Sequence, residues 1–118
     1  MPEYCPITYS MKVLGSKWKI PIIFKLMIED GQHYNHLKRM IGDNITNFML
    51  TKSLRELEAD GLIIRHDDHQ VPPSVTYHLT PLGKDLAMTM NQLFDWGQEL
   101  YSNKEKNSSN SIDHLKQQ

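Results

Sequence analysis

Three observations predict an α+β fold, mainly α, for this chain of 118 residues. Two helical runs stand only a few residues apart across Gly42 to Ile45, and the second is polar at its exposed N-terminal end, which is how a helix-turn-helix looks in sequence. Past Gly61 the apolar period changes from helical to alternating in two segments, so a strand pair follows. From Pro81 a wide apolar stripe at helical spacing marks a long final helix. Helix, helix, hairpin and helix in this order predict a winged helix-turn-helix with a two-stranded wing hairpin.

Each element has its own warrant. Cys5-Pro6 opens the first helix with Pro at the first helical position and Cys5 as cap; Ile7, Met11 and Leu14 share a face, and Gly15 ends the run. Ser16 is expected to cap a second helix with apolar set Trp18, Ile22 and Leu26, tolerating Pro21 near its first turn, and Glu29-Asp30-Gly31 terminates it. Gln32 to Tyr34 reads as an extended link, followed by a short third helix on Leu37, Met40 and Ile41, closed by Gly42. The fourth helix, Thr46 to Asp60, has Thr46 where an N-cap belongs, Leu50, Leu54 and Leu57 on one buried stripe, and Gly61 just past its end. Leu62 to His66 and Val75 to Leu79 alternate as strands, and the connection from Asp67 to Ser74, stiffened by Pro72-Pro73, projects as a wing. Thr80-Pro81 caps and starts the last helix, whose stripe of Leu82, Leu86, Met90, Leu93, Phe94, Trp96 and Leu100 is more apolar surface than a small core uses. Residues 1–101 are read as one domain and residues 102–118, polar and rich in Asn and Ser, as a flexible tail.

Composition bounds the function. A formal net charge of −1 argues against broad, nonspecific nucleic-acid binding, but residues 11–66 hold nine Lys or Arg against six Asp or Glu, and residues 67–118 four against seven. Any steering field is local to the first half. No apolar run approaches the ~20 residues of a membrane span, and the start lacks the basic and apolar regions of a signal peptide, so a soluble, cytoplasmic chain with no membrane partner is expected.

The fourth helix carries the functional signal. Opposite its leucine stripe it gathers Asn47, Phe48, Thr51, Lys52 and Arg55 with no carboxylate among them; the acids Glu56, Glu58 and Asp60 fall at the far end. That face suits a phosphate-lined groove in double-stranded DNA. Lys17 and Lys19 at the second helix, Lys38 and Arg39 on the third and Arg65 on the strand lie where a helix-turn-helix meets the DNA backbone, with Thr46 at the helix start, and His69 and Gln70 extend the set into the wing. Phe48 either packs on a thymine methyl or the sugar wall or folds back as a lid on the core, the last being slightly preferred. His66, His69 and His78, with His33 or His36, match no zinc spacing, and a single Cys permits no internal disulfide, so no metal or other cofactor is expected. Gly15-Ser16-Lys17 lacks the phosphate-loop pattern and no nucleophile elbow is present, which argues against an enzyme. Cys5 has two readings, a small buried hydrophobe or a thiol activated by the positive end of a helix and open to oxidants or electrophiles.

Several of these residues together resemble the HxlR-type family of winged helix-turn-helix transcriptional regulators of bacteria. They are Cys5-Pro6, Leu14-Gly15 with Lys17-Trp18, Tyr34-Asn35-His36-Leu37, Ile45-Thr46, Leu50-Thr51 with Leu54 to Leu57, and Asp60 to Ile63. Further along they are Val71-Pro72-Pro73 with Val75 and Tyr77, Leu79-Thr80 with Gly83, and Asp95-Trp96. Tyr34 stands where Phe is usual, and His36 where Glu is commoner. The resemblance implies a homodimer through N- and C-terminal dimerisation helices, with Ile7, Met11, Leu86, Met90, Leu93, Phe94, Trp96 and Leu100 at the interface. It also implies a recognition helix in the major groove of a palindromic operator, and a sensing role for Cys5 as in several members. The expected function is a sequence-specific DNA-binding regulator, a repressor rather than an activator, cytoplasmic and associated with the nucleoid when bound. The alternatives are a regulator answering to a small ligand or metal at the dimer interface, and a winged-helix protein-interaction module without DNA activity.

Overall fold

The computed structural model describes residues 4–117, with side chains through Asn107. The chain forms two compact units, residues 1–87 and residues 88–118. The first contains α1 (Pro6–Leu14), α2 (Lys19–Ile28), β1 (Gln32–His33), α3 (Tyr34–Ile41), α4 (Asn47–Ala59), β2 (Ile63–Asp67), β3 (Val75–Leu79) and the start of α5 (Pro81–Gln117). Its core is built by Ile22, Ile23 and Leu26 of α2, Leu37 of α3, Ile45 of the turn, Leu50, Leu54 and Leu57 of α4, Leu62 just before the sheet, and Ile63 and Leu79 from the sheet. At about 1.5–3 kcal/mol for each fully buried leucine or isoleucine, these stripes dominate the fold's stability. α1 buries none of its residues.

The caps expected of α4 are present. Thr46 lies in extended backbone and its Oγ1 accepts from the Met49 N–H at 3.1 Å; Gly61, with φ of 75°, lets the chain turn from α4 into β2. Gly42, with φ of 115°, closes α3 and opens the short turn to α4. At the start of α5 the Thr80 hydroxyl accepts from the Gly83 N–H at 3.0 Å and donates to the Gly61 carbonyl at 2.6 Å, so one side chain fixes both the end of α4 and the beginning of α5.

Three local expectations are corrected. α2 is capped by Trp18 rather than Ser16, without a side-chain hydrogen bond, because the buried Trp18 ring draws residues 16–18 into a turn before the helix begins. The link before α3 is a strand: β1 pairs antiparallel with β3, Gln32 opposite Tyr77, giving a three-stranded sheet in the order β1-β3-β2. Gln32 is also buried, its Nε2 donating to the carbonyls of Lys25 and Glu29 at 2.8 and 2.7 Å, so it closes the end of α2. Lastly, α5 continues past Tyr101 to Gln117.

The hairpin β2–β3 pairs Ile63 with Leu79, Arg65 with Tyr77 and Asp67 with Val75. Ile63 points into the core and Ile64 stays exposed. In the wing the two aspartates are spent on the loop itself: Asp67 Oδ1 accepts from the His69 N–H at 2.8 Å, and Asp68 Oδ1 from the Gln70 and Ser74 N–H groups at 3.1 and 3.0 Å. These donors hold the Asp68 carboxyl below the usual carboxylate range, Gln70 first and Ser74 next. The left-handed conformation of His69, φ 56°, fits this tight turn.

Candidate nucleic-acid interface

α4 divides its residues between two environments. Leu50, Ser53, Leu54 and Leu57 are buried, while Asn47, Phe48, Lys52 and Arg55 are exposed and Thr51 is half-buried. Two grooves run along the exposed face. One, of about 430 Å³, is lined by Asn47, Phe48, Thr51, Lys52, Arg55 and Glu56. The other, of about 410 Å³, lies between α4 and the sheet and adds Tyr34, Arg65 and Tyr77 to Thr51, Arg55 and Glu58. Arg65, distant in sequence, is thereby brought beside Arg55. Neither groove is lined by Lys17, Lys38, Arg39, His69 or Gln70, which stand on other elements.

Phe48 is 74% exposed, which corrects the expectation that it covers the core: the leucine stripe of α4 is already packed against α2 and β2. Lys19 is corrected too. It is only 7% exposed, its Nζ donating to the Val13 carbonyl and pairing with Glu56 Oε2, each at 2.8 Å. The ammonium ties the end of α1 to α4 and is not available to a phosphate; the Glu56 carboxyl is held low chiefly by this hydrogen bond. The Lys17 ammonium lies 4.9 Å from the Trp18 ring centroid, an exposed cation on an aromatic face.

One contributor was missed by sequence reasoning. The Tyr34 hydroxyl lies 3.1 Å from the Asn47 carbonyl, 3.2 Å from Asn47 Oδ1 and 3.3 Å from Thr51 Oγ1, at the first two turns of α4. The signal was in the sequence as a tyrosine in place of the usual phenylalanine, but its partners belong to another helix.

Three histidines have polar partners of their own, His33 Nδ1 with the Val75 carbonyl at 3.0 Å, His36 with Glu29 at 3.0 Å, and His78 between Asp30 at 3.3 Å and Thr76 at 2.8 Å, while His66 lies edge-on to His78 with ring centroids 6.3 Å apart. Among the described residues no group of three or more His, Cys, Asp or Glu side chains is gathered to hold a metal ion, and no helix is long and apolar enough to cross a membrane. Cys5 is exposed at the N-terminus of α1, where the Thr8 N–H, the Thr8 hydroxyl and the Ile7 N–H lower its thiol pKa from the ordinary value.

Of the residues expected at a dimer interface, Ile7 and Met11 are exposed on α1, and Leu93, Phe94, Trp96 and Leu100 are exposed on α5. Met90 is 5% exposed and already buried within its own chain, and Leu86 is half-buried, so these two offer less apolar surface than the other six.

The HxlR-like helix-turn-helix family matches residues 13–105, most of the chain. The chain belongs to the HxlR family. The HTH-type transcriptional regulator YybR of Bacillus subtilis is 45% identical over 96 residues, 81% of this chain and 75% of that protein. Among solved structures, the HTH-type regulator ytcD aligns with a TM-score of 0.78 and 38% identity, over 84% of this chain and 99% of the other. The redox regulator HypR in its oxidized form aligns with a TM-score of 0.71 and 43% identity, over 80% and 96%. This HxlR member is therefore a winged helix-turn-helix, DNA-binding transcriptional regulator and not an enzyme.

Proposed function

We propose that the chain acts as a homodimeric repressor that reads a palindromic operator with α4 as its recognition helix. Asn47, Phe48, Thr51 and Arg55 face base edges in the major groove; Lys17, Lys38, Arg39, Lys52 and Arg65 take phosphates, and His69 and Gln70 of the wing lie against the adjoining backbone. The Thr46 hydroxyl, which caps α4 through its oxygen, keeps its proton for a phosphate. The observation that supports this most is the division of α4: one face fully buried, the other presenting two cations, an amide, a hydroxyl and a 74%-exposed phenylalanine that the fold itself does not use. The wing aspartates, consumed by backbone N–H groups, present less acceptor surface to phosphate than their number suggests.

Dimerisation uses the exposed apolar residues of α1 and of α5, Ile7, Met11, Leu93, Phe94, Trp96 and Leu100. The two recognition helices must then lie about one DNA turn apart, ~34 Å, to reach both half-sites. Cys5, exposed and with its thiol pKa lowered by the N–H groups of the first turn, is the point at which an oxidant or electrophile changes that spacing and releases the operator, a reading supported by the similarity to a redox regulator.

The test is binding of a fluorescent duplex from the promoter region of the protein's own gene, at fixed salt, by reduced protein, oxidant-treated protein and Cys5→Ser. Specific binding that weakens on oxidation in the wild type but not in Cys5→Ser is the expected result. Specific binding indifferent to oxidant refutes the sensing role of Cys5 and keeps the operator reading. Equal affinity for unrelated duplexes refutes the operator reading itself.

A further inference from the structure

We infer that the Tyr34 hydroxyl is a specificity-determining positioning residue, which sets the hydrogen-bonding sense that Thr51 and Asn47 present to the DNA. The inference rests on the reading of α4 as the recognition helix. Tyr34 is the first residue of α3, and its hydroxyl reaches across to the first two turns of α4, meeting the Asn47 carbonyl, Asn47 Oδ1 and Thr51 Oγ1 at 3.1, 3.2 and 3.3 Å.

The donor count gives this cluster a direction. A phenol has one proton to give, and the Asn47 carbonyl can only accept. With the Tyr34 proton shared between the two Asn47 oxygens, the phenolic oxygen is left to accept from the Thr51 hydroxyl. The Thr51 proton then points inward, toward Tyr34, and its remaining lone pairs face the groove. Threonine alone is ambiguous at a base edge, since its hydroxyl donates or accepts by rotation. Held this way it is an acceptor, complementary to the exocyclic amino groups of adenine N6 and cytosine N4 and mismatched to the O4 of thymine and the O6 of guanine. Asn47 is restrained by the same hydroxyl, so two side chains of the reading face, one exposed and one half-buried, lose rotational freedom before DNA arrives, which lowers the ordering cost of binding. Thr51 and Tyr34 also line one groove together with Arg55 and Arg65, so the restraint is applied within the face that carries the cations.

The experiment is selection from a duplex library with a randomised central segment, carried out in parallel with wild type, Tyr34→Phe, Thr51→Val and the double variant, with melting temperature and salt dependence recorded for each. The wild type is expected to enrich a motif with one position in each half-site restricted to an amino-bearing base. Tyr34→Phe keeps the ring and the salt slope and relaxes that position by about tenfold in base discrimination, within the range of a well-made base contact. Thr51→Val relaxes the same position, and the double variant goes no further than Thr51→Val alone, because the two hydroxyls act as one unit. A Tyr34→Phe motif identical to the wild type's overturns the inference, as does relaxation spread evenly over all positions with a lowered melting temperature, which marks Tyr34 as structural only. A wild type that enriches no motif at all overturns the recognition-helix reading instead.

Discussion

Replacing Gly83 with alanine sets a methyl group against the carbonyl oxygen of Leu62, in overlap with it, and 3.2 Å from both the Leu62 carbonyl carbon and Leu79 Cδ2. The two Leu62 atoms are backbone and cannot swing aside as the Leu79 methyl can. The Leu62 carbonyl accepts from the Thr80 N–H at 3.1 Å, and Thr80 in turn caps α5 through the Gly83 N–H, so the methyl is accommodated only by lifting the first turn of α5 off the end of α4. Overpacking of this kind costs about 1–3 kcal/mol, and loss of the Thr80 to Leu62 hydrogen bond adds ~1 kcal/mol. Against this, alanine in place of glycine favours a helix by at most ~1 kcal/mol. The balance is a loss of about 1–3 kcal/mol, and at ~4 °C per kcal/mol for a domain of this size the melting temperature falls by about 4–12 °C. The assay is urea and thermal unfolding at one fixed protein concentration, since the proposed dimerisation would couple stability to concentration. Gly61→Asn is the control: Gly61 has a left-handed φ of 75° but nothing within 4 Å of a Cβ, and asparagine tolerates that conformation, so its cost stays at or below ~1 kcal/mol. Gly83→Ala as stable as the wild type refutes the close seating of α5 on Leu62.

Arg55→Ala is expected to weaken operator binding by at least tenfold, in line with ~1–3 kcal/mol for a base-reading arginine, whereas Lys104→Ala on α5 leaves it unchanged; equal losses in a titration would remove α4 from the reading surface. Lys38→Ala should lower binding across all sequences and reduce the slope of log K against log salt by ~0.9 for each phosphate no longer neutralised, checked by repeating the titration at several salt concentrations. Alkylation of Cys5 by iodoacetamide, followed against pH, should inflect below the range of an unperturbed thiol, because the Thr8 and Ile7 N–H groups favour the thiolate; an inflection at or above that range contradicts the α1 N-terminal geometry. The wing should loosen in acid. The folded pKa of Asp68 is depressed, so its contribution is present above the unfolded carboxylate pKa and is lost as pH falls through the lowered folded value. Amide exchange at Gln70 and Ser74, corrected for intrinsic rates, should speed up over that window in the wild type, and Asp68→Asn should show weakened protection at every pH.

Much of the architecture was legible because its causes are local. Thr46 and Thr80 cap helices through N–H groups three residues on, and Gly61 supplies a backbone conformation that its neighbours cannot. The leucine stripe of α4 needs only the helical period, and its opposite face follows by subtraction. β1 was not legible, since two residues are too few to show alternation and the strand exists only because β3 offers it an edge. The capping of α2 failed for a similar reason: the fate of Trp18 depends on a core assembled from other helices.

The candidate site was divided in the same way. Which residue types crowd the first turns of α4, and that a cysteine stands at a helix start, were determined by sequence, because both are matters of spacing along a single helix. Only the tertiary structure decided that Lys19 is an internal strut held by Val13 and Glu56, that Phe48 faces outward, that Met90 is already covered, and that Arg65 stands beside Arg55. It alone brought the Tyr34 hydroxyl to Asn47 and Thr51. The physical reason is range: helix period and capping act over three or four residues, whereas charge pairing, burial and hydrogen bonds between side chains depend on which elements meet, and that is settled by packing of the whole core.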